Sequence, residues 1–203
     1  MIILEGNDQK LFDWVQEKNL IRQYDLLLNC IEVGLKQGPT AIDKYMLWSL
    51  NHVAVANICQ FSGRFREEPI YIGNHKPPHF KDVPDFMDRY ISFIHENWFL
   101  LSATQLAAYG LWRLNWIHPF IEGNGRTARA TCYYLLCART ERLLPGSKIV
   151  PERIRETPAE YVAALQAADR AWEQGNYDLS AMETYLARLL QEQLADAAQE
   201  AGI

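Results

Sequence analysis

The chain is 203 residues long, 49% apolar and 12% aromatic, and carries a formal net charge of −5. That length and apolar content suit a single domain with a substantial buried core. The acidic balance argues against broad nucleic-acid binding, which relies on an excess of lysine and arginine. The four cysteines, Cys30, Cys59, Cys132 and Cys137, form no C-x-x-C pair and no disulfide-rich spacing. They read as reduced thiols, mostly in the core. Glu5 and Asp8 interrupt any apolar run at the start, so no signal peptide is expected there. The most apolar stretch, YMLWSLNHVAVANICQF, includes Asn51, His52 and Asn57 and is too short and polar to span a bilayer. A cytoplasmic protein without a membrane segment is expected.

Helical periodicity dominates the chain. Ile21, Tyr24, Leu27, Leu28, Ile31 and Leu35 recur at three- and four-residue spacing until Gly38-Pro39 stops the pattern. Thr40-Ala-Ile-Asp43 resembles a capping box and predicts a second helix to about Phe61. Ser102-Ala-Thr-Gln105 is a full capping box for a helix ending near His118. Thr157-Pro158-Ala-Glu160 is another, with proline at the first helical position. Gly175-Asn176 closes that helix, and Asp178 or Ser180 opens a last one through Leu190 and beyond. Residues 63–80, GRFREEPIYIGNHKPPHF, break the pattern. Arg64-Phe65-Arg66 and Ile70-Tyr71-Ile72 read as two short strands, a hairpin that must rest on the helical body. No linker, low-complexity tract or internal repeat divides the chain, so one domain over 1–203 is expected.

The chemistry concentrates in HPFIEGNGRTAR, residues 118–129. Proline after His118 ends the preceding helix, and apolar Phe120 anchors the loop. Gly123-Asn124-Gly125 then feeds a helix carrying Arg126, Arg129, Tyr133 and Leu136. A glycine-rich turn at a helix N-terminus offers unpaired N–H groups and the positive end of the helix dipole, which suits phosphate. Arg126 and Arg129 share one helical face near that end, adding two forked guanidiniums. Glu122 could share Mg²⁺ with phosphate oxygens. His118 has the side chain of a general base near neutral pH. Each feature alone is commonplace; within twelve residues they compose a base, a metal ligand and an anion cradle.

This segment resembles the Fic motif H-P-F-x-[D/E]-G-N-G-R-x-x-R at every defined position. The 63–80 segment, G-R-F-R followed by I-x-I-G and a proline pair, is similar to the β-hairpin flap upstream of that motif. The resemblance implies an all-α helical bundle with a small β-hairpin flap, and an enzyme that moves AMP from ATP to a Tyr, Ser or Thr hydroxyl of a target protein. Carried over by position, His118 would be the base and Glu122 would hold Mg²⁺. Gly123, Asn124 and Gly125 would form the anion hole, and Arg126 and Arg129 would bind phosphates. Ile70, Tyr71 and Ile72 would dock an extended target segment by strand addition. Tyr161 lies where some relatives place an adenosine-pocket residue. Intact G-N-G-R favours nucleotidyl transfer over the kinase action of Doc-type relatives. Self-modification and a homo-oligomer are compatible with the resemblance; nucleic-acid and membrane partners are not expected.

The tripeptide Glu5-Gly6-Asn7 repeats Glu122-Gly123-Asn124 with dissimilar flanks. Fic relatives carry an inhibitory helix with [S/T]-x-x-x-E-[G/N], whose Glu captures the second motif arginine. Met1 stands where the Ser or Thr belongs, so residues 1–18 would be at most a partial inhibitory helix, with Glu5 restraining Arg129. Two other readings are an AMP-removing hydrolase using the same site and a regulatory nucleotide-binding module. His52, His75, His79 and His95 are assigned no role.

Overall fold

The computed structural model describes residues 9–73 and 75–202. Among the described residues eight α-helices make up the body: α1 (Gln9–Gln37), α2 (Lys44–Val55), α3 (Val83–Asn97), α4 (Ala103–Ile117), α5 (Asn124–Arg139), α6 (Val150–Glu156), α7 (Pro158–Glu173) and α8 (Ser180–Glu200). Helices α4 and α5 form the centre, and both are buried nearly all round, as expected of helices enclosed by others. Gly110 lets them approach closely, because a Cβ there would run into Leu135. Helices α1 and α2 cover α5 on one side, while α3, α7 and α8 cover α4. The core includes Trp112, Tyr90, Tyr133, Tyr134 and Phe120, all essentially inaccessible to solvent. No described helix is long and apolar enough to cross a membrane.

The Ser102 capping box forms as expected: the Ser102 hydroxyl accepts from Gln105 N, and the Gln105 side chain accepts from Ser102 N. Other expectations are corrected. The cap of α2 is Asp43, whose carboxylate accepts from Met46 N at 2.8 Å, while Thr40 lies in a 3₁₀ turn. Helix α2 stops at Val55 rather than Phe61. Asn57 adopts a left-handed backbone, and the carbonyls of Ala54 and Ala56 are claimed by Arg126 and Asn19. Thr157 does not cap α7: its hydroxyl donates to Arg153 O and pairs with Tyr185, and Glu160 pairs with Arg188. On α1 only Leu27 and Ile31 of the expected apolar stripe are fully buried. Asn19 and Gln23 complete that face by donating to Ala56 O and Leu50 O, leaving Ile21, Tyr24 and Leu35 exposed.

The expected β-hairpin flap does not form as a ladder among the described residues. Ile72 and His75 make an isolated antiparallel bridge, with His75 N donating to Ile72 O at 2.8 Å. Arg64-Phe65-Arg66 does not pair with Ile70-Tyr71-Ile72. The donors of this stretch go elsewhere: Arg66 N bonds Pro119 O at 2.8 Å, and the Arg66 side chain reaches the end of α4. Pro69, Pro77 and Pro78 remove three further N–H groups, so segment 63–80 lies on the helical body as an irregular strap.

Candidate active site

His118 follows the last residue of α4 with a left-handed backbone, φ 50° and ψ 61°, unusual for a residue with a Cβ. The carbonyls at this helix end would otherwise lack partners. His118 N bonds Leu114 O, the His118 ring bonds Asn115 O at 3.2 Å, and the His75 ring bonds Trp116 O at 2.8 Å. The Arg66 guanidinium takes His118 O at 2.8 Å and Ile117 O at 3.5 Å. Because a carbonyl only accepts, the contact to Asn115 O puts the ring proton on Nδ1 and leaves Nε2 as the unprotonated nitrogen. Burial, opposed by the Asn115 carbonyl and assisted by the charges of His75 and Arg66, pulls His118 down to about 4. The imidazole is therefore neutral at pH 7, the state a general base needs.

The loop after His118 is held by short-range amide contacts. Phe120 is fully buried, and the Asn124 side chain both accepts from Phe120 N and donates to Phe120 O. Asn124 thus staples the loop with its amide and has only its backbone to offer an anion. Gly123 opens α5 with φ +80°, and a Cβ there would lie 2.6 Å from Val55 and 3.0 Å from Asn51. Buried Asn51 donates to Glu122 O at 2.8 Å and accepts from Gly63 N at 3.0 Å, tying loop and strap to α2. Nothing in the local pattern around Asn51 marked it beyond its being polar within an apolar helix.

Helix α5 points its N-terminus into a cleft of about 570 Å³. Its walls include His118, Glu122, Gly125, Arg126 and Arg129, so most of the predicted site residues converge. The Glu122 carboxylate accepts from Gly123 N at 2.9 Å and from Arg126 at 3.1 Å, and Arg126 also donates to Ala54 O. Burial pulls Arg129 below the usual guanidinium range, with Arg155 and Arg126 pushing the same way. It stays cationic, as arginine does in proteins. Sequence reasoning missed Arg155 of α6 and Asp13, Gln16 and Glu17 of α1, which line this cleft from distant parts of the chain.

A second cleft of about 480 Å³ lies on the other side of His118. It is walled by Ile72 and Gly73 of the strap, Trp116, and Val162, Gln166 and Asp169 of α7. Tyr161 is not brought to either cleft. It is buried against Tyr185, and its hydroxyl accepts from Asn115 Nδ2 at 2.8 Å, buttressing the residue whose carbonyl holds the His118 ring. Of the strap residues, Ile72 borders the second cleft, Ile70 is half-buried, and Tyr71 is 94% exposed. Glu5 lies outside the described residues. Among the described residues no group of three or more His, Cys, Asp or Glu side chains could enclose a metal ion. Glu122, the cleft carboxylate beside the α5 N-terminus, fits a divalent cation whose remaining ligands are phosphate oxygens and water.

Residues 41–136 match the model of the Fic/DOC family. The chain carries a Fic/DOC domain. Over 124 residues, 60% of this chain, it is 33% identical to the protein adenylyltransferase Fic of Drosophila persimilis. It spans 24% of that relative's length. A Fic domain containing signaling protein from Bacteroides thetaiotaomicron shares the fold with a TM-score of 0.79 at 18% identity, over 97% of this chain and 76% of that one. Fic-1 of C. elegans, residues 134–508, does so with a TM-score of 0.73 at 20% identity, over 99% of this chain and 55% of that one. At under 25% identity these likenesses show the fold alone, over 97% and 99% of this chain.

Proposed function

We propose that this Fic domain transfers AMP from ATP to a hydroxyl of a protein side chain. The observation that carries the reading is the position of His118: among the described residues it alone lines both the arginine-rich cleft and the cleft beneath the strap. A nucleotide laid across the two would put its phosphates against Arg126, Arg129 and the α5 N-terminus and its nucleoside beside α7, with the α-phosphate near the base. His118 Nε2 would take the proton of the target hydroxyl as its oxygen bonds the α-phosphorus. The bond from that phosphorus to the bridging oxygen breaks, and pyrophosphate leaves with the electron pair. The backbone N–H groups opening α5 would stabilise charge gathering on the α-phosphoryl oxygens. Glu122 would share Mg²⁺ with the phosphates; that ion, when bound, supplies charge neutralisation.

The named activity of the Drosophila relative supports AMP transfer, and the G-N-G-R loop supports a nucleotidyl product. In the same reading, Ile70 to Ile72 of the strap dock an extended target segment. Tyr71, exposed to 94%, is free to meet it. Glu5 restrains transfer by competing for Arg129, so Glu5→Gly raises labelling; unchanged labelling removes that restraint. The decisive experiment incubates the purified chain with ATP labelled at the α-phosphate and Mg²⁺. Removing a positioned base costs about 10²–10⁴-fold, so His118→Ala should abolish detectable label on protein. Equal labelling by both proteins sinks the reading.

A further inference from the structure

We propose that Arg66 is a positioning residue that couples the placement of the 63–80 strap to the orientation of His118. The inference rests on the reaction proposed above. Arg66 is 3% exposed and, among the described residues, pairs with no carboxylate. Its guanidinium is spent on main-chain carbonyls from two stretches of chain. Nε donates to His118 O at 2.8 Å and Nη2 to Ile117 O at 3.5 Å, both at the end of α4. Nη2 also donates to Pro78 O at 2.5 Å and Nη1 to Glu68 O at 3.4 Å, both within the strap. The Arg66 backbone N–H adds Pro119 O at 2.8 Å.

The charge is held by these dipoles and by the negative end of α4, where a cation is favoured. Arginine suits the task because its planar fork sends donors in several fixed directions at once, which an ammonium cannot do. The carbonyls it holds, with Pro119 O, flank the left-handed residue that carries the base. That backbone conformation persists only while its neighbours enforce it. The ring contact from His118 to Asn115 O, which leaves Nε2 unprotonated, depends on the same backbone. A strap shifted by a docking target would therefore pull on the base through one side chain. Among the described residues, the one phosphate-cleft residue that Arg66 reaches by hydrogen bond is His118, through its carbonyl, and it bonds none of Glu122, Arg126 and Arg129, so the phosphates should not sense it directly.

The test compares wild type, Arg66→Lys and Arg66→Gln in the full chain by three measurements: amide hydrogen exchange, MgATP affinity by calorimetry, and transfer of α-labelled AMP onto the chain itself. Arg66→Lys keeps the charge and a long stem, so it decides the matter even if Arg66→Gln fails to fold. Expected for Arg66→Lys is faster exchange, by tenfold or more, in the strap and in residues 116–120 together, with α8 unchanged. MgATP affinity should stay within about twofold while labelling falls roughly 10–100-fold. Faster exchange in the strap alone, or in neither stretch, overturns the coupling. Exchange rising throughout the chain together with lost MgATP binding overturns it too, by making Arg66 a general support. If wild type itself transfers no label, the proposed reaction fails, and the exchange pattern still decides Arg66.

Discussion

His118 combines a strained backbone, partial burial and an unprotonated Nε2, and each has a measurable consequence. Its imidazole sits near pKa 4 in the fold against 6.5 as an ordinary histidine. Between those values the unfolded chain binds a proton that the native ring refuses, so stability falls as pH drops from 6.5 towards 4. His118→Gln is expected to flatten that part of the stability–pH curve, as urea unfolding at stepped pH would show. AMP transfer should correspondingly hold steady at pH 6 and fall only on approach to pH 4, in contrast to a base of ordinary pKa. Gly123 makes the second residue-scale prediction. With φ +80° and a Cβ that would lie 2.6 Å from Val55, Gly123→Ala combines backbone strain with overpacking. A loss of roughly 2–4 kcal/mol in urea unfolding is expected, with MgATP binding weakened alongside.

Among the elements, α4 shows most plainly what local sequence can specify. Its start is a capping box closed within four residues, and Ser102→Ala should cost about 1 kcal/mol in thermal unfolding while leaving MgATP affinity unchanged. Its other end depends on His75 and Arg66, dozens of residues away. The same contrast separates the correct cap from the mistaken ones. Thr40 and Thr157 sit in sequences that look like caps, but Thr157 finds better partners in Arg153 and Tyr185. The strap was legible as an interruption and not as what it is. Alternation in Arg64-Phe65-Arg66 and Ile70-Tyr71-Ile72 suggests a ladder, yet Arg66 is committed to the carbonyls of Ile117, His118 and Pro119. Tyr161 was read as part of a nucleotide pocket and instead faces inward, because α7 turns Val162, Gln166 and Asp169 to the cleft.

Over the whole molecule, a chain of net charge −5 gathers Arg126, Arg129 and Arg155 on one cleft. Asp13 and Glu17 of α1 line the same space. MgATP affinity should therefore fall with added salt, as exposed charge interactions do over a Debye length of about 8–10 Å. Arg155→Ala should weaken binding roughly fivefold at low ionic strength and less in high salt, by calorimetry. The sequence by itself determined the helical class, the Ser102 cap and the turn from the 118–123 loop into α5, because each is written in residues a few positions apart whose geometry one helix turn or one tight loop enforces. Only the tertiary structure decided which face of α1 is buried, where the strap spends its donors, that Tyr161 is a buttress, and that Arg155 joins the cleft. Those outcomes turn on which groups distant in sequence satisfy buried carbonyls and charges, a competition settled only when the helices pack.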